Sequence, residues 1–231
     1  MRVLLWLLAA VTHVCMVNAN VEKTIFLGPP SVRIPNDRPT LDDLRLDVLE
    51  AVHAPILETQ LAVQFPTKLA PRGLESWYLL RGLEEGRRYE VRICWPATSP
   101  TDFWLDTYTL AEVFDTAEFI SSLFTYSEGR QKLPLEVPAS RVEVSQSSTL
   151  FLRIQAAASF YSTNRTLMKE PPAVAADIIL DPFILNILPR SLAPVAVYIS
   201  VVSIGAWFLS GYIYRWLLSI ATEPLTKAHP D

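Results

Sequence analysis

The sequence predicts a mainly β protein, a two-sheet sandwich of short strands, carried by one C-terminal transmembrane helix. Two observations make that prediction. Leu192 to Tyr214 is a run of twenty-three residues without Asp, Glu, Lys, Arg or His. At about 1.5 Å per residue it spans roughly 34 Å as a helix, enough for a bilayer core of about 30 Å. Upstream, helical periodicity is weak from Asn20 to Ser162, and period-two alternation of apolar and polar residues recurs in short segments bounded by Pro and Gly.

The N-terminus reads as a targeting segment. Arg2 precedes the mostly apolar Val3 to Val17, and Val17-Asn18-Ala19 places small residues where a signal peptidase cuts, so residues 1–19 are expected to be a cleaved signal. An uncleaved N-terminal anchor is the alternative. With the signal removed, the chain is expected to enter the endoplasmic reticulum as a single-pass type I protein. Its large domain, residues 20–162, would be luminal, a linker and apolar juxtamembrane segment would occupy 163–189, the transmembrane helix 190–218, and a cytosolic tail 219–231. A removable lipid-anchor signal is disfavoured, because Arg215 interrupts the apolar run and Thr222 to Asp231 adds a polar tail.

The segment from Asn20 to Pro189 carries 16 Lys and Arg against 22 Asp and Glu, a net charge of −6 that argues against nucleic acid or an anionic lipid surface as the main partner. Cys94 is the single cysteine left once Cys15 leaves with the signal, so no disulfide can form within one molecule. Between Ile93 and Trp95 it reads as a buried structural thiol.

In chain order, Thr24 to Leu27 is a first strand, closed by Gly28-Pro29-Pro30. Leu41 to Leu49 fits helix and strand equally well. Leu57, Leu61, Val63 and Phe65 alternate with polar residues as a half-buried strand. Trp77 to Leu80 and Tyr89 to Trp95 flank the turn Gly82-Leu83-Glu84-Glu85-Gly86, and in the second of them Tyr89, Val91, Ile93 and Trp95 share one face. The spacing Leu83, Gly86, Tyr89 resembles the tyrosine corner of immunoglobulin- and fibronectin-III-like sandwiches, in which the Tyr hydroxyl bonds back to upstream backbone and pins a crossing between sheets. Glu85 stands where the fibronectin pattern usually has Pro. Phe103 to Leu110, Arg141 to Val144 and Leu150 to Ala156 complete the strands, and Asp115 with Glu118 suggests a capped helix over Thr116 to Phe124. Asn164-Arg165-Thr166 is a glycosylation sequon. Ala173 to Pro189 is apolar but interrupted by Pro182, with Asp177 and Asp181 four residues apart. It could lie in the membrane interface, pack on another membrane protein, or pack under the sandwich.

No catalytic constellation emerges. His53 and Cys94 cannot build a zinc site, and neither a phosphate-binding glycine loop nor a Gly-x-Ser-x-Gly elbow occurs. The carboxylate pairs Asp42-Asp43, Glu84-Glu85 and Asp102 with Asp106 read as solvated turns and strand edges. The chain is expected to be no enzyme and to need no cofactor.

Three stretches then carry a likeness: the opening Asn20-Val-Glu-Lys-Thr-Ile-Phe-Leu, Arg88-Tyr-Glu-Val-Arg-Ile-Cys-Trp-Pro-Ala, and Phe103-Trp-Leu-Asp-Thr-Tyr. With the signal and the single helix they resemble the filamentous-fungal Pga-type accessory subunit of GPI mannosyltransferase II. The resemblance implies a non-catalytic endoplasmic-reticulum membrane subunit. Its polytopic catalytic partner adds the second mannose to the GPI precursor from dolichol-phosphate mannose, and this chain would stabilise or activate it. Lys227 and His229, five and three residues from the C-terminus, resemble a dilysine-type retrieval signal. Ser200, Ser203, Ala206 and Ser210 form a small-residue stripe suited to contact with a partner helix, the rest of the helix facing membrane lipid. A general translocon or cargo-handling membrane protein is the alternative reading.

Overall fold

The computed structural model describes residues 19–31, 41–131 and 148–221. The expected strand Arg141 to Val144, nearly all of the expected signal, and Lys227 and His229 lie outside them. Among the described residues nine strands form two sheets. Sheet one joins β1 (Ala19–Leu27), β5 (Arg88–Pro96), β8 (Val174–Ile184) and β3 (Ile56–Leu61) in that order, with β9 (Leu188–Pro189) hairpinned onto β8. Sheet two has the order β2 (Asp47–Glu50), β4 (Leu74–Leu83), β7 (Ser148–Ala158), β6 (Thr101–Thr109). The described residues are therefore mainly β, with two sheets and one long apolar helix toward the C-terminus.

Period two dictates the core. Tyr89, Val91, Ile93 and Trp95 of β5 and Val174, Ala176, Ile178 and Leu180 of β8 point inward and meet Leu150, Leu152, Ile154 and Ala156 of β7. In β4 the alternation disappears, because Trp77, Tyr78, Leu79 and Leu80 are all buried. Sheet two is covered on its outer face by helices α1 (Leu110–Asp115) and α2 (Ala117–Gln131), so its middle strands are apolar on both sides. Trp77, Leu79 and Phe151 pack there against Val113 and Leu123, and the Trp77 indole N–H donates to Ser122 Oγ at 3.0 Å.

Two expectations change here. The capping box belongs to Thr109 and Glu112, whose side chains each accept from the other's backbone N–H, and not to Asp115 and Glu118. Asp115 instead ends α1, and an extended Thr116 separates the helices. The larger correction concerns 163–189. Val174–Ile184 is no linker but the strand between β5 and β3, supplying four core residues. Its apolar, Pro-interrupted composition reflects burial within a sheet, and the sandwich runs on to Pro189. Leu41 to Leu49 resolves into both of its options, a 3-10 turn at Leu41–Leu44 followed by β2. β2 lies parallel to β4, and this pair, like the helical cover, is not a feature of the immunoglobulin pattern of two antiparallel sheets.

Candidate functional site at the junction of sandwich and helix

The corner comes first, because everything at the junction leans on it. β4 and β5 belong to opposite sheets, and Leu83 to Gly86 carries the chain across. The Glu84 N–H donates to the Tyr89 hydroxyl at 2.9 Å, Gly86 takes φ +71°, and its N–H reaches Gly28 O at 2.9 Å. Tyr89 is buried and stacks on Phe26 with ring centroids 5.8 Å apart.

The β8–β9 hairpin seats on this corner. Its turn has Leu185 and Asn186 at φ +52° and +58°, closed by the Ile187 N–H donating to Ile184 O at 3.1 Å, the positive-φ pattern of tight hairpin turns. Asn186 ties it down: its Oδ1 accepts the Arg88 N–H at 2.8 Å and its Nδ2 donates to Gly86 O at 3.1 Å. Arg87 Nε adds a bond to Phe183 O at 3.3 Å. Corner loop and hairpin enclose a shallow cleft of about 580 Å³ lined by Glu84, Arg87, Phe183 and Leu185 among others.

Beside the hairpin lies a charged cluster. Glu90 and Asp181 stand directly opposite each other on β5 and β8, on the outer face of sheet one, and both are buried, at 3% and 5% exposure. Like charges across a strand pair repel. Two cations offset this: Arg92 Nη1 lies 3.5 Å from Glu90 and 3.8 Å from Asp181, and Lys23 Nζ is 3.1 Å from Glu90. Asp181 also accepts the Ser191 N–H through both oxygens, at 3.1 and 3.3 Å, and Arg92 donates to Ser191 Oγ at 3.2 Å. Ser191 sits in the 3-10 turn Arg190–Leu192 that opens directly into helix α4 (Ala193–Ala221). The cluster thus anchors the first turn of the long helix to the sheet, so the direction in which the helix leaves is set by charge pairing and not by a free linker. Cys94 is on the same face and is half-buried, not fully buried as its apolar neighbours suggested. Burial pushes its thiol up, opposed by Arg92 and reinforced by Asp177 and Glu90.

α4 itself has no buried residue, and Arg190–Ala221 is long and apolar enough to cross a membrane, with mean hydropathy 2.0. Ser200, Ser203, Ala206 and Ser210 are exposed along it, and the Ser200 hydroxyl is used within the helix, donating to Ala196 O at 2.8 Å. Asn164 is exposed and caps the short helix α3 (Arg165–Lys169), its side chain accepting the Thr166 N–H at 3.0 Å.

A model of the Pga1 family, described as GPI-Mannosyltransferase II co-activator, matches residues 11–211. The chain belongs to that family. The description is of a co-activator and not of the transferase itself. A relative in Schizosaccharomyces pombe, "GPI mannosyltransferase 2 subunit C167.09", is 26% identical over 133 residues, covering 58% of this chain and 52% of that protein. The chain thus spans about half the length of the curated relative it matches. No solved structure matches.

Away from the junction the Trp95 indole N–H and Arg153 Nε are buried without a hydrogen-bond partner among the described residues, while the carboxylates are paired. Asp106 accepts from Arg153 at 2.9 Å, and Glu84 pairs with Arg87 at 2.5 Å. In the cleft of about 630 Å³ over the outer face of sheet two, Glu75 accepts from Gln155 at 2.7 Å and from Ser122. Among the described residues no three His, Cys, Asp or Glu side chains gather as a metal site. Asp181 was noted in the sequence only for its spacing from Asp177, and its meeting with Glu90 and Arg92 was not foreseen. The signal was available: Glu90 and Arg92, like Asp177 and Asp181, fall on one face of a strand.

Proposed function

We propose that this chain is a non-catalytic subunit of GPI mannosyltransferase II, holding a polytopic catalytic partner in working form so that the second mannose is added to the GPI precursor. The observation that carries the reading is the family match across residues 11–211. A long apolar helix, joined through Ser191 to a β domain without a catalytic constellation among its described residues, supports it. The β domain faces the lumen of the endoplasmic reticulum, α4 crosses its membrane once, and Lys227 and His229 act on the cytosolic side as a retrieval signal. Asn164, exposed at the start of α3, carries a glycan. The stripe Ser200, Ser203, Ala206, Ser210 meets a helix of the partner.

Depletion of the chain tests the function. A GPI intermediate bearing one mannose should accumulate, and an unchanged set of intermediates would overturn the reading. The amount of catalytic subunit remaining separates the two modes: its loss means stabilisation, its persistence without turnover means activation. Ser203→Leu with Ala206→Leu should reduce co-purification of the partner in mild detergent without affecting membrane insertion. Undiminished co-purification returns α4 to a plain anchor.

A further inference from the structure

The tip of the β8–β9 hairpin has no packing role in the sandwich. Ile184, Leu185 and Ile187 are 41%, 86% and 78% exposed, three aliphatic side chains around one turn. Leu185 also stands at φ +52°, a region that Gly, Asn and Asp enter readily and Leu rarely. Asn186 answers to the demands of the turn and makes two bonds to the corner. Leu185 satisfies neither the backbone nor the core, so its side chain serves something beyond the domain.

Position says what that is. Arg190 and Arg215 bracket 24 uncharged residues. As a helix these extend about 36 Å against a hydrocarbon core of about 30 Å, so both arginines reach headgroup level. Ile187 is three residues from Arg190, and an extended chain covers at most about 11 Å in three residues. The tip is therefore within reach of the interface, and the anchored Ser191 holds it at a defined place beside the helix. Exposed Arg88 and Arg190 flank the aliphatic cluster with charge complementary to lipid phosphates.

We propose that the tip Ile184–Ile187 inserts into the headgroup region of the same membrane that α4 crosses, a second lipid contact that fixes the tilt of the β domain over the bilayer. The inference rests on the membrane-spanning reading of α4, and its test separates the two. In the full-length chain with Cys15 and Cys94 replaced by serine, an environment-sensitive fluorophore is placed by Ile187→Cys, Ser203→Cys or Leu69→Cys, the last a fully exposed loop position remote from the junction. The protein is reconstituted into phosphatidylcholine vesicles. The label at 187 should be blue-shifted relative to that at 69, quenched by headgroup-level spin-labelled lipid and shielded from iodide, and the label at 203 quenched by chain-level spin label. Should the label at 203 behave so while that at 187 is quenched by iodide like the one at 69, the tip proposal falls and the span stands. Iodide quenching at 203 overturns the span itself. Shielding at 187 that requires the co-reconstituted mannosyltransferase assigns the tip to a protein contact and overturns the lipid proposal. Leu185→Cys provides a second tip position, and it must give the same answer as 187.

Discussion

Replacing Asp181 by alanine should loosen the join between sheet and helix, and the structure gives the size of the effect. Asp181 is 5% exposed and accepts the Ser191 N–H at 3.1 and 3.3 Å. A hydrogen bond to a buried carboxylate contributes about 1.5–3 kcal/mol. Arg92 loses one carboxylate neighbour at 3.8 Å but keeps Glu90 at 3.5 Å and Ser191 Oγ at 3.2 Å, so no cation is stranded. Removing Asp181 also ends its repulsion with Glu90, a return of about 0.2–1 kcal/mol for charges opposite each other on paired strands. The net loss for Asp181→Ala is about 2 kcal/mol, or about 4–8 °C in Tm at about 2–4 °C per kcal/mol for a chain of this size. Asp181→Asn retains a neutral acceptor for Ser191 and should lose about 1 kcal/mol. Thermal unfolding of the full chain in detergent, followed by near-ultraviolet circular dichroism, measures both. Amide exchange at Ser191 and Leu192 should quicken in the alanine variant before any change appears in β7. Equal losses for the two variants, or changes below about 0.5 kcal/mol in both, would refute the assignment of Asp181 as the anchor of the helix.

Four further outcomes are expected. Tyr89→Phe leaves the Glu84 N–H without its acceptor while keeping the stack on Phe26, and should cost about 1–2 kcal/mol in the same unfolding assay. Gly73→Ala combines φ +77° with a Cβ that would lie 1.9 Å from Ala156 O, and should destabilise by about 3 kcal/mol or more. Gly86→Ala, with φ +71° and open space around it, should cost only about 1–2 kcal/mol. Because burial raises the Cys94 thiol, the folded protein holds that proton to higher pH than the unfolded chain does. Alkylation should therefore show a pH midpoint above that of the denatured protein, and stability should fall as pH rises past the ordinary thiol range. Coincident midpoints would contradict the burial.

Much of the architecture was legible because period two and charge-free length are local properties. Inward Tyr89, Val91, Ile93 and Trp95, the strand at Leu150 to Ala156 and the run Leu192 to Tyr214 needed no knowledge of what they would meet. The spacing of Leu83, Gly86 and Tyr89 likewise depends only on a few adjacent residues. Val174–Ile184 was harder, because a strand buried between two others in a sheet next to a hairpin and a span carries apolar residues on both faces at its end, with Phe183 buried beside Pro182 and Asp181. Composition alone could not distinguish that from an interfacial segment. The helix expected from Thr116 is present and starts at Ala117, but α1 before it was not foreseen: Asp115 and Glu118 have capping-box spacing, and so do Thr109 and Glu112, and only the packing of Val113 against Phe151 shows the earlier helix.

The sequence by itself determined that the chain is a β domain followed by one apolar helix, because alternation and hydrophobic length follow from the backbone geometry of strands and helices. Only the tertiary structure decided how the two are joined. Glu90 with Arg92, Asp181 and Ser191 are separated by roughly ninety residues of sequence and meet because β5 and β8 pair in register. Two carboxylates so placed in a buried site need Arg92 and Lys23 against them, and Asp181 needs the Ser191 N–H. That need, created by strand pairing alone, turns the end of the sandwich into a fixed mount for the helix.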